Sequence, residues 1–160
     1  MNPEPTFYIE ADDGLPPEAV ALIKDAAAAT VRCVSPLLPG QTEWACTFRL
    51  GTDAEVRELN KSFRGKDKPT NVLSFPADES MQEPDSPWYL GDIIFAHETI
   101  AREAAAQEKT YADHLKHLAV HGLLHIYGYD HINEDDAFIM EKLEIDILKT
   151  LNISNPYTKR

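Results

Sequence analysis

Three imidazoles stand at His121, His125 and His131, at offsets 0, 4 and 10, with Gly128 at offset 7. Residues four apart on a helix share a face with Cβ atoms about 5–6 Å apart, so His121 and His125 can reach one ion at about 2.0–2.1 Å. Glycine enters the left-handed conformation without a Cβ penalty, so Gly128 can end the helix and bring His131 back under the same ion. Zinc on three neutral imidazoles keeps a fourth tetrahedral position for water, as catalytic sites do, and lowers the pKa of that water toward ~7. Two plainer readings compete. The histidines could be ordinary core or surface residues, or the metal could be structural, which requires a fourth protein ligand from Asp130, His117 or His114.

The spacing matches the zincin pattern H-E-x-x-H-x-x-G-x-x-H with one substitution, since Gly122 occupies the position of the glutamate. That glutamate is the general base of peptide hydrolysis, and glycine can neither take up nor return a proton. The stretch therefore describes a zincin-like metal helix used for other chemistry.

Several elements must position this helix. Residues 6–10 read as a short strand, and a helix from about Glu18 to Val34 turns Val20, Ile23, Ala27 and Val31 to one face. Trp44, Cys46, Phe48 and Leu50 alternate with Ala45, Thr47 and Arg49, a strand with one apolar face. Thr52 or Asp53 caps a helix over about 54–63 with Val56, Leu59 and Phe63 as its buried stripe. Residues 71–75 form a strand bounded by Pro69 and Pro76, which favours a sheet edge. Residues 77–89 read as a mobile loop, and 90–96 as a strand. Helices follow over about 98–107, 112–127 and 134–150, the last with Ile139, Leu143, Ile147 and Leu151 as its core face. Around the metal ligands, Leu115, Leu118, Val120 and Leu124 supply an apolar surround. The expected fold is α+β, a small mixed four-stranded sheet packed against about five helices.

A chain of 160 residues makes one domain, 1–160. Cys33 and Cys46 are too few for a disulfide framework and read as small buried apolar residues of a reducing compartment. Met1–Pro5 lacks the features of a signal peptide, and no apolar run reaches membrane-spanning length, so the expectation is a cytoplasmic protein without a membrane partner. The formal net charge of −12 opposes polyanionic partners, yet Arg57, Lys61, Arg64, Lys66 and Lys68, one third of the 15 basic residues, crowd into twelve positions. Either this is a solvated helix end and loop, or it is a phosphate-binding patch.

The His121–His131 segment, the stretch Phe63-Arg64-Gly65-Lys66-Asp67-Lys68-Pro69-Thr70-Asn71-Val72-Leu73-Ser74-Phe75-Pro76 and the strand Leu90-Gly91-Asp92-Ile93 together resemble the YbeY family of bacterial endoribonucleases and rRNA maturation factors. The resemblance runs from about Leu59 to about Ile147 and leaves the 77–89 loop free. It implies a zinc-dependent, single-strand-directed endoribonuclease carrying one Zn2+ per chain. Its partners would be 16S rRNA precursor and the ribosome or ribosome-associated factors, not DNA, and its work 16S rRNA 3′-end maturation and ribosome quality control. It also implies that His121, His125 and His131 are the metal ligands and that Arg64 is needed for function.

Arg64 makes independent sense, because a guanidinium binds phosphate oxygens bidentately and can stabilise transition-state charge. Lys66 and Lys68 either extend that patch as backbone-phosphate contacts or are solvated loop lysines. Asn71 and Ser74 either supply hydrogen bonds in the cleft or serve turn and sheet chemistry. His117 reads as a helix-surface histidine in preference to a neighbour of the metal, and His97 and His114 carry no assignment. Asp130 orients an imidazole or caps the turn. Two alternatives stand beside the nuclease: a non-enzymatic ribosome-assembly factor with a structural metal, and a metalloprotease-like hydrolase that takes an extended peptide along the edge strand.

Overall fold

The computed structural model describes residues 6–12, 14–34 and 44–157; Met1–Pro5, read above for a leader, lies outside them. The strands are β1 (Thr6–Ala11), β2 (Trp44–Gly51), β3 (Val72–Pro76) and β4 (Trp88–Ala96). The helices are α1 (Ala19–Cys33), α2 (Asp53–Arg64), α3 (His97–Ala106), α4 (Tyr111–Ile126) and α5 (Glu134–Thr150). The sheet order is β1-β2-β4-β3, with β1, β2 and β4 parallel and β3 antiparallel to β4. The α+β architecture is therefore as expected, and β3 takes the edge that its flanking prolines favour. No helix among the described residues is long and apolar enough to cross a membrane.

The sheet is covered on two sides. Cys46, Phe48, Leu50, Ile93 and Phe95 are fully buried on the face that meets α1 and α4, with α5 packed against those two helices. Phe48 and Phe95 stack with ring centroids 6.4 Å apart. Leu73 and Ala96 face the other way and pack with Val56 of α2. Helix α4 is thus held between the sheet and α1, with its sequence-local ligand spacing anchored by apolar neighbours.

Three expected stripes are rotated or shortened. Helix α1 buries Ala19, Ile23, Ala26, Ala27, Ala29 and Thr30 and leaves Val20 exposed, because a surface of alanines can approach α4 more closely than one of valines. Phe63 is 69% exposed, since the last turn of α2 overhangs the sheet edge, where its ring meets Phe75 edge-on at 5.5 Å. Helix α5 buries Met140, Glu144, Ile147 and Leu148 and exposes Ile139.

The 77–89 stretch is tied down rather than free. It holds a 3-10 turn over Glu79–Met81, and β4 begins at Trp88. The Gln82 side-chain amide bonds both backbone groups of Tyr89, accepting from its N–H at 2.7 Å and donating to its carbonyl at 2.9 Å. A side chain thereby replaces a strand neighbour there.

Candidate metal centre

Helix α4 starts at Thr110, whose hydroxyl oxygen accepts the Asp113 N–H at 3.1 Å. It ends in a two-bond reversal, with Gly128 N–H donating to the His125 carbonyl and Tyr129 N–H to the Leu124 carbonyl, both at 3.0 Å. Gly128 has φ 101°, a conformation glycine alone adopts freely, and this is the turn that returns His131 toward the helix.

The three imidazoles converge. One ring nitrogen from each of His121, His125 and His131 lies within 4.8 Å of the other two. The Nε2 atoms of His121 and His125 are 3.1 Å apart. Two imidazole lone pairs at that distance repel unless a proton or a cation lies between them. Tetrahedral zinc with bonds of about 2.0–2.1 Å would set its ligand nitrogens ~3.3 Å apart, so the donor set and its spacing fit such an ion.

Glu144 on α5 organises this arrangement. Its side chain is fully buried, and Oε1 accepts from Nδ1 of His121, so the His121 proton sits on Nδ1 and the Nε2 lone pair faces the other imidazoles. The hydroxyl of Tyr157 donates to Oε2. Burial alone would raise the Glu144 carboxyl, but the His117 and His121 imidazoles beside it and the Tyr157 hydroxyl bring it down to about 2. His117 is nearly buried, not a surface residue as its helix position suggested, with Nε2 3.7 Å from Glu144 Oε2. Burial, reinforced by the neighbouring His121 and His131, pushes the His125 pKa down and so favours its neutral form.

The imidazoles open into a cleft of about 670 Å³ that Arg64, Lys66, Lys68, Ser74 and Asp130 also line. Arg64 closes α2, donates from Nη2 to the Ser74 carbonyl at 2.9 Å and holds its guanidinium carbon 5.7 Å from the Phe75 ring centre. The basic loop behind it is fixed by buried Asn60. That side chain donates to the Lys68 carbonyl at 2.8 Å, and the main-chain carbonyl of Asn60 accepts the Lys66 N–H at 3.2 Å. Asp130 takes the capping role, accepting the His131 N–H at 2.7 Å.

Two residues fall elsewhere than expected. Asn71 does not line the cleft; its amide donates to Glu103 at 3.0 Å, beside buried His114, which bonds the same carboxylate oxygen at 2.9 Å. The start of β3 is drawn toward α3 by this bond, away from the imidazoles. Position 122 faces the sheet: a Cβ there would lie 3.0 Å from Ile93 Cγ2, 3.2 Å from Ser74 Oγ and 3.5 Å from Val72 Cγ2. The glycine is thus explained by close packing of α4 on β3 and β4. His97 is engaged away from the cleft, with Nδ1 2.7 Å from the Tyr111 hydroxyl.

Sequence reasoning missed Glu144 and Tyr157. A carboxylate in the 140-144-147-148 stripe of an otherwise apolar face was the available signal for Glu144. Tyr157 had none, being brought to the site by the chain reversal after α5.

Compared with known proteins, residues 19–152 match the family model described as Endoribonuclease YbeY. A protein of that name from Chelativorans sp. is 55% identical over 105 residues, covering 66% of this chain and 64% of its own length. Another from Bradyrhizobium diazoefficiens is 48% identical over 147 residues, covering 90% of this chain and 79% of its own. Among solved structures, a protein from Thermotoga maritima determined in solution superposes with a TM-score of 0.56 at 21% identity, covering 96% of this chain and all of that one, a likeness of fold.

Proposed function

The chain belongs to the Endoribonuclease YbeY family, and on that premise we propose that it is a zinc-dependent, single-strand-directed endoribonuclease of 16S rRNA 3′-end maturation and ribosome quality control, acting in the cytoplasm as one domain over residues 1–160. The observation that carries this reading is the convergence of three imidazole nitrogens in a cleft shared with Arg64, Lys66 and Lys68. His121, His125 and His131 would hold the ion, which supplies a Lewis acid for a phosphoryl oxygen and an acidified water at neutral pH.

The remaining work falls to side chains. Arg64, already at the rim on the Ser74 carbonyl, binds the nonbridging oxygens of the scissile phosphate and stabilises the charge they gain. Lys66 and Lys68 hold flanking phosphates and so place the strand without reading its sequence. Ser74, its proton engaged by the Gly122 carbonyl, offers the cleft a hydroxyl lone pair, and Glu144 fixes the His121 ring.

Two observations weigh against the alternatives. The cluster of ligand-bearing side chains found among the described residues holds three histidines and no fourth protein ligand, which disfavours a structural metal. A Cβ at position 122 would stand 3.0 Å from Ile93 and 3.2 Å from Ser74, so a protease carboxylate fits there only if those side chains give way.

Metal analysis combined with cleavage of single-stranded and duplex RNA tests the proposal. The wild type is expected to carry about one zinc per chain and to cut the single strand, and His121→Ala to lose both properties. A zinc-loaded wild type that cuts no RNA, with or without ribosomal subunits, would establish the assembly-factor reading instead.

A further inference from the structure

We propose that the segment Ile153–Tyr157 is part of the metal centre, and that Tyr157 is a positioning residue whose hydroxyl on Glu144 sets how tightly His121 holds the ion. This rests on the reading that the three histidines bind a metal.

The placement of Tyr157 is built in stages. Helix α5 ends in a reversal of the same two-bond type as α4, with Asn152 N–H donating to the Lys149 carbonyl at 3.1 Å and Ile153 N–H to the Leu148 carbonyl at 2.9 Å. Asn152 has φ 61°, a left-handed conformation that asparagine tolerates better than most residues. Ile153 is buried directly after the turn and anchors the returning chain in the main core. The Tyr157 N–H then donates to the Asn155 side chain at 2.8 Å, and its ring meets His117 at right angles with centroids 5.8 Å apart.

The hydroxyl matters because Glu144 has two histidines to choose from. Oε1 serves His121, while Oε2 lies 3.7 Å from the Nε2 of His117, a ring with no hydrogen-bonded nitrogen among the described residues. Tyr157 occupies Oε2. Without that hydroxyl a buried carboxylate oxygen is left underpaired, and rotation toward His117 satisfies it at the expense of His121. A loosened His121 ring loses both the tautomer and the orientation that direct Nε2 at the ion. Tyr157 also lies past residue 152, where the family match ends, so this contribution comes from outside the stretch shared with the family model.

The test is zinc affinity, measured by competition with a chromogenic chelator, together with the thermal midpoint of the metal-free protein and the nitrogen NMR signals of His121. Tyr157→Phe keeps the ring on His117 and removes only the hydroxyl. It is expected to weaken zinc binding by roughly 3- to 10-fold, to leave the metal-free midpoint close to wild type and to shift the His121 Nδ1 resonance. Glu144→Gln should weaken binding by roughly 10- to 100-fold. A wild-type affinity in Tyr157→Phe, whether or not Tyr157→Ala is weakened, overturns the proposal. Failure of the wild type itself to bind zinc would overturn the metal-centre reading on which it stands.

Discussion

The Ser74 hydroxyl donates to the main-chain carbonyl of Gly122 at 3.2 Å, joining the edge strand to the middle of the metal helix. The same close approach crowds any side chain, since a Cβ at 122 would press on Ile93 and Ser74, which would have to give way. Gly122→Glu would bury a carboxylate among Ile93 and Val72, so it should destabilise the fold by roughly 3 kcal/mol or more and bring no gain in RNA cleavage. Urea denaturation checks this. A glutamate variant with the wild-type midpoint would mean that α4 can withdraw from the sheet and that position 122 is open to the cleft.

Gly128→Ala should be felt at the metal more than its size suggests. With φ at 101°, any L side chain there is strained by about 1–2 kcal/mol. Relief of that strain requires the turn to open and His131 to move away. We expect lower thermal stability and weaker zinc binding together. Unchanged zinc affinity would detach His131 from the site.

Arg64 and the two lysines should separate in kinetics. If Arg64 stabilises the transition state while Lys66 and Lys68 hold phosphates, Arg64→Ala lowers kcat with little change in KM, and Lys66→Ala or Lys68→Ala raises KM with kcat preserved. Each lysine removed should also flatten the salt dependence of RNA binding by about one unit of log–log slope. Equal effects from all three substitutions would contradict this division.

The pH response of the metal-free protein has a definite sign. Burial, with His121 and His131 adding to it, holds the folded pKa of His125 below its unfolded value of about 6.5. Between the folded and unfolded values the unfolded chain binds more protons, so His125 subtracts stability as the pH falls through that window and nothing above it. Denaturation midpoints in chelator between about pH 7.5 and 5 should therefore drop less steeply for His125→Ala than for wild type. Parallel slopes would show that His125 titrates normally in the folded chain.

What was legible in the sequence was local. The i, i+4 histidines, the glycine that ends their helix and the proline-bounded edge strand are set by neighbours within a turn or two, and the structure keeps each of them. Relations between distant segments were not. Helix α5 shows why: 139-143-147-151 is an unbroken apolar stripe and 140-144-147-148 one interrupted by Glu144, about 100° apart at their first residues, and choosing the first hid Glu144. Asn71 lies beside the basic patch in the chain, yet Glu103, 32 residues later, takes its side chain. Phe63 completes a helical stripe but overruns the sheet that would have covered it, a matter of strand order that no single segment reveals.

Buried Asn60 has a bearing on how an acidic protein can hold RNA. It grips the loop at the backbone of Lys66 and the carbonyl of Lys68, which fastens the main chain bearing these cations to the end of α2. For the RNA binding proposed above, this would leave mainly side-chain rotamers to order, at about 0.5–1.5 kcal/mol for each long side chain immobilised. In a molecule of net charge −12 the long-range attraction for a polyanion is absent, and a fastened cationic rim would let the few favourable contacts count more fully.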